Sequence, residues 1–149
     1  MDSIKTVVDY GIIGLLTFMS IIAFGIAIER FSFIKGFDPK DANIKDKTGE
    51  EIWVVLTKRF YIISAIGSNA PYIGLLGTVL GIMLTFYEMG QGSMNVKSIM
   101  IGLSLALKAT AMGLLVAIPC VFLNNLLLRK AHEKLSIFNA LKRRFKDGT

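Results

Sequence analysis

Three long uncharged stretches organise the chain. Residues 10–28 and 60–87 hold no Asp, Glu, Lys or Arg, and residues 99–128 hold one, Lys108. A helix crosses a bilayer with about 20 mostly apolar residues, each rising about 1.5 Å. All three stretches meet that length. Between the first two runs lies "RFSFIKGFDPKDANIKDKTGEE", punctuated by Gly36, Pro39 and Gly49, which reads as a loop. Thr48 and Glu51 then form a capping-box pattern. Ile52, Val55, Arg59, Ile62 and Ile63 follow at helical spacing and predict a helix running into the second span without a break. After the third run, Leu128, Ala131, Leu135, Phe138, Leu141 and Phe145 recur every three or four residues, the signature of an amphipathic helix continuing that span. The pattern predicts an all-α integral membrane protein with three transmembrane helices and long helical extensions. The expected segments are a first span at about 10–28, a loop and helix at 30–60, a second span at about 66–87, a loop at 88–98, a third span at about 99–125 and a helical tail at 126–149.

Charge gives the pattern a direction. The net charge is +6, with 17 Lys and Arg against 11 Asp and Glu. Seven of the basic residues lie in 30–59 and seven in 129–146, whereas the N-terminal segment has only Lys5 and the 88–98 loop only Lys97. With three spans the two basic segments share one side, and the positive-inside rule makes that side the cytoplasm. The N-terminus and the 88–98 loop then face outward. The basic balance follows from this topology and calls for no nucleic-acid partner. The basic tail suits anionic lipid, and an ordinary solvated face explains it equally well. The opening segment lacks a basic start and ends at Glu29-Arg30 in place of a small-residue cleavage site, so it is expected to be retained as the first span. A hydrophobic content of 53% and a mean hydropathy of +0.58 agree with a membrane protein.

Within the spans, small and polar residues fall on stripes. Gly74, Thr78, Gly81, Thr85 and Glu88 follow at steps of four, three, four and three, and Gly77 with Gly81 makes a GxxxG pair. Gly102, Ala106, Ala109, Gly113 and Ala117 share that rhythm in the third span, with Thr110 beside them. Such faces let helices approach closely in lipid. Thr78 and Thr110 either bond their own helix carbonyls or line a narrow path for water or a partner helix, and periodicity leaves both readings open. Three helices enclose little, so a pore requires several copies, and identical chains usually assemble cyclically.

Catalytic chemistry finds no constellation. His132 is alone on the tail helix, and Cys120 reads as a small apolar residue inside the third span. No metal-binding spacing exists, no carboxylates pair within a span, and no phosphate-cradling loop follows a strand. No catalytic, cofactor or metal residues are assigned. Lys108 is the chemical anomaly. It lies about 13 Å from Ile99 in a hydrocarbon core about 30 Å thick, where a lysine costs roughly 2.5–3.5 kcal/mol on insertion scales. At about 100° per residue it sits about 200° from Thr110, on the opposite face. It pairs with a carboxylate of a neighbouring helix, snorkels to a wet crevice, or takes part in proton movement.

The motifs "APYIGLLGTVLGIMLTF" and "LALKATAMGLLVAIP" resemble the ExbB/TolQ/MotA proton-channel family almost throughout the second and third spans. The Glu29-Arg30-Phe31 exit from the first span looks similar too. Within the family the likeness is nearest to the ExbB branch, with TolQ second. The resemblance implies a pentamer in the bacterial inner membrane whose second and third spans line a central pore. It implies a partner, ExbD, with transmembrane helices in that pore and a membrane aspartate that carries protons, and it implies proton flow that powers TonB-dependent outer-membrane uptake. It makes Thr78 and Thr110 pore residues. Pro71 and Pro119 become helix-shaping prolines alongside the packing residues Gly74, Gly77, Gly81 and Gly113, and Glu29, Arg30 and Glu88 become charges at the membrane edge. One departure stands out: many ExbB proteins carry a third-span glutamate where this chain has Leu105. The competing expectations are a TolR/TolA-type envelope component, a purely structural bundle, and a small secondary transporter, which the missing inverted repeat disfavours.

Overall fold

A computed structural model describes residues 2–41, 46–92 and 95–147. The expected loop positions 42–45 and 93–94, and the tail's last residues 148–149, lie outside the described residues. Four helices follow in order: α1 (Asp2–Gly36), α2 (Gly49–Thr57), α3 (Phe60–Gly90) and α4 (Val96–Asp147). Three of them, α1, α3 and α4, are long and apolar enough to cross a membrane. Helix is what an uncharged apolar run adopts in lipid, because it satisfies every backbone N–H and C=O within the segment. α4 has 52 residues and so extends about 78 Å, carrying the third span and the amphipathic tail as one rod. α1 likewise runs eight residues past the apolar stretch that predicted it, from Ile28 to Gly36.

α3 and α4 form the most extensive pairing, an antiparallel hairpin, and α1 packs on both. The direction of α1 is set by its contacts. Glu29 meets Arg59 at the start of α3, whereas Ile12 approaches Gly77, so α1 opposes α3. Phe31 pairs with Lys130 and Phe37 with Lys134, so α1 runs parallel to α4. The core follows the inner stripes: Leu16, Ala23, Ala27 and Ile34 of α1, Ile52 and Leu56 of α2, Phe60, Ile63, Ile66 and Ala70 of α3, and Ala117, Cys120, Leu127, Ala131 and Phe138 of α4. In the most apolar window of each span, only 17–28% of positions are buried inside the protein. The remaining apolar surface, including Phe18, Ile21, Leu107, Leu115 and Phe122, is therefore suited to lipid or to other chains.

The sequence pattern is corrected at one junction. The capping box forms as expected, with the Glu51 N–H donating to Thr48 Oγ1 at 3.2 Å and the Thr48 N–H donating to Glu51 Oε2 at 3.0 Å. The helix it opens does not run on into the second span. It ends at Thr57, Lys58 leaves helical geometry, and Arg59 takes φ 69°, ψ 0°. This left-handed conformation costs a non-glycine residue about 1–2 kcal/mol. Arg59 Nη1 donates to both Glu29 carboxylate oxygens, at 3.1 and 2.9 Å. Both side chains are about half exposed, so the ion pair supplies at most about 1 kcal/mol. Burial of Leu56 and Phe60 on either side of the break supplies the rest. The break lays α2 antiparallel along the C-terminal part of α4, with Gly49 beside Asn139 and the Trp53 ring 4.4 Å from that of His132. Lys134 and Lys142 add donors to the carbonyls of Phe37 and Lys47, at 2.7 and 2.6 Å. Arg59→Ala loses the ion pair and keeps the strained backbone, whereas Arg59→Gly loses the ion pair and relieves the strain. The alanine variant is expected to be less stable than the glycine variant by about 1 kcal/mol. Circular-dichroism melts in detergent compare them, and coincident melts would contradict the strain.

Candidate functional site

Small residues bring α3 and α4 close enough to expose backbone to backbone. A Cβ at Gly74 would lie 2.7 Å from Ala109 O, and one at Gly113 would lie 2.6 Å from Ala70 O. Gly81 faces Ala106, Gly77 faces Ala109, and Gly102 lies under the Thr85 side chain. The two stripes read from the sequence thus pair with each other along the whole seam. Gly74, Gly77 and Gly113 are buried and Gly81 half-buried, so their first use is helix packing.

Thr78 and Thr110 meet at the middle of this seam. Their hydroxyl oxygens are 2.5 Å apart. Thr78 Oγ1 is 3.1 Å from Ala106 O and 3.4 Å from Gly74 O, and Thr110 Oγ1 is 3.3 Å from Gly74 O. Two hydroxyls carry two protons. One proton lies between the oxygens and the other goes to a carbonyl. Either Thr110 donates to Thr78 and Thr78 donates to Ala106 O, or Thr78 donates to Thr110 and Thr110 donates to Gly74 O. The two arrangements reverse the polarity of the hydroxyl–hydroxyl bond and end on different carbonyls. Thr78 is buried and Thr110 half-buried, so Thr110 is the member with an exposed edge. Thr85, 1% exposed, donates to Gly81 O at 2.9 Å within its own helix, the bland use open to all three threonines.

The other sequence candidates sit apart from this pair. Lys108 is exposed on the α4 face turned away from α3, and Leu105, one turn earlier, is exposed beside it. Among the described residues no carboxylate lies within ion-pair distance of Lys108. Pro71 and Pro119 stand inside α3 and α4 without ending them. Glu88 is half-buried near the end of α3. Arg30 departs from the simple picture of an edge charge: it is 7% exposed. Its Nη2 is 3.6 Å from Glu29 Oε1, its guanidinium carbon is 5.3 Å from the Phe33 ring centroid, and its buried Nε has no partner among the described residues. Glu29 is thus shared between Arg30 and Arg59. No sequence period distinguishes Arg30 from a solvated arginine, although its spacing from Ala27 and Ile34 places it on the inner stripe. Trp53 against His132 was also missed, because it depends on the α2–α3 break. Cys120 is fully buried, as a small apolar residue would be. Among the described residues no three His, Cys, Asp or Glu side chains gather to hold a metal ion.

Comparison with known proteins places the sequence that carries this seam in a family. The model described as the MotA/TolQ/ExbB proton channel family matches residues 33–140, from the end of α1 through most of α4. The chain is 54% identical over 142 residues to the biopolymer transport protein ExbB of Aquifex aeolicus, an alignment covering 95% of this chain and 93% of that one. It is 53% identical over 128 residues to a putative biopolymer transport protein ExbB-like 2 of Helicobacter pylori, covering 85% and 83%. It is 46% identical over 148 residues to the ExbB of Helicobacter pylori strain J99, covering 95% and 96%.

Proposed function

The chain belongs to the MotA/TolQ/ExbB proton channel family, with an ExbB-like role, and from that premise we propose that it is the proton-channel scaffold of a TonB energising complex. It forms a ring of identical chains, a pentamer, in the inner membrane. Its N-terminus is periplasmic, and the α2–α4 extensions are cytoplasmic. α3 and α4 line the central opening, where the transmembrane helices of an ExbD partner sit. Proton flow along that interface works on TonB, which opens outer-membrane transporters.

The Thr78–Thr110 hydroxyl pair carries this reading. It is a reversible two-proton arrangement at mid-seam, in a chain whose spans contain no Asp or Glu within 10–28, 60–87 or 99–128. The acidic group that takes up and releases the proton therefore comes from another chain. The threonines orient a hydrogen-bonded path beside it, and Leu105 leaves the missing carboxylate to that partner. Lys108, on the other face, stands outside the path and meets a carboxylate or water at the bundle periphery. A TolQ-like role differs only in its partners, TolR and TolA. Co-purification from the native membrane separates the two: ExbD and TonB are the expected companions, and recovery of TolR and TolA in their place would overturn the assignment. A purely structural bundle predicts neither set.

A further inference from the structure

We propose that the groove between α1 and α4 at the basic end of the spans is a binding site for an anionic phospholipid. The groove has a volume of about 190 Å³ and is walled by Phe24, Ile28 and Phe31 of α1 and by Leu123, Leu126 and Leu127 of α4. Its wall is apolar for about two turns of α1 and about one turn of α4, and it ends near the level where charge begins, at Glu29 and Arg30 on α1 and Arg129 and Lys130 on α4. At that mouth Lys130 Nζ lies over the Phe31 ring, 4.4 Å from its centroid, and Ser32 adds an exposed hydroxyl. The part of an acyl chain nearest the headgroup fits the apolar length. The phosphate then reaches a lysine whose ammonium is already steered to the end of the groove by the aromatic face.

The neighbouring charges single out Lys130. Arg30 is buried against Glu29 and Phe33, and Arg129 is turned to Glu133 at 3.4 Å. A second copy of this chain is a poorer occupant. Its basic 129–146 segment, at the same level in every copy, offers Lys130 no anion, whereas a phosphate brings the opposite charge. The site depends on the spans lying in a bilayer and not on any ExbD or TonB partner, so it stands or falls separately from the coupling function.

Native mass spectrometry of the full chain, exposed to equal amounts of phosphatidylglycerol and phosphatidylcholine with the same acyl chains, tests the site. Phosphatidylglycerol is expected to be retained preferentially. Lys130→Gln should lower its retention roughly fivefold, the factor one cation contributes near an anionic surface, and leave phosphatidylcholine unchanged. Leu126→Trp fills the groove and should lower retention of both lipids. Lys142→Gln, farther along α4, should change neither. Equal retention of the two lipids, or equal losses for Lys130→Gln and Lys142→Gln, would overturn the site in favour of diffuse attraction to the tail. A change in the number of chains per complex with Leu126→Trp would instead assign the groove to a second copy.

Discussion

Gly113→Val is expected to stop α3 and α4 from pairing at their present distance. The added Cβ would sit 2.6 Å from Ala70 O and 3.1 Å from Gly74 Cα. Both are backbone atoms, so no flexible side chain can yield. Overfilling a packed interior usually costs about 1–3 kcal/mol, and valine adds two further methyl groups to the same gap. The effect here is expected at or above the upper end of that range. Helices in lipid associate through packing, without a hydrophobic drive between them, and separation would also pull Thr110 from Thr78 and Gly74 O. The measurement is a thermal melt in mild detergent together with the elution size of the assembly. Gly14→Val is the control, since a Cβ there meets nothing within 4 Å among the described residues. Equal behaviour of the two variants would mean that the close α3–α4 seam does not exist in the membrane.

The seam shows what a sequence of this kind encodes and what it withholds. Both stripes were legible because small residues at steps of three and four stand out against Leu, Ile and Val. Their register was not legible. Gly74, Thr78, Gly81 and Thr85 on one helix, and Gly102, Ala106, Ala109 and Gly113 on the other, repeat the same rhythm, so sliding by one period still sets small against small. Only the assembled helices fix Thr78 on Thr110 and Thr85 on Gly102. The three spans were legible for a simpler reason, the absence of charge. The end of α2 was hidden because its cause is tertiary. Arg59 is no helix breaker, and its left-handed turn is held by Glu29 thirty residues away and by burial on both sides. A local stop signal, such as a glycine at Lys58 or Arg59, would have revealed it. Arg30 was hidden in the same way, since only its neighbours distinguish a buried arginine from an exposed one.

Replacing Thr78 and Thr110 together by valine is expected to lower proton-driven output sharply and leave the assembly whole. Valine keeps the shape and removes both hydroxyls. No buried donor is left behind, because the hydroxyls are the donors in every contact they make with Gly74 O and Ala106 O. Those carbonyls still accept the helical N–H groups of residues 78 and 110. Removing both partners of a hydrogen bond in this way is close to neutral for stability, within about 1 kcal/mol. Proton flux in vesicles holding the chain and its partner should fall roughly tenfold or more, equivalent to about 1.4 kcal/mol in barrier. The serine double variant makes the result decisive, because it keeps both hydroxyls and removes the methyl groups that fill the seam. If the pair relays protons, Thr→Ser retains flux with some loss of stability, and Thr→Val loses flux with little loss of stability. If the pair serves packing alone, Thr→Val is silent and Thr→Ser is the damaging change. Flux and stability together therefore separate the two readings, and a flux unchanged by valine would remove both threonines from the proton path.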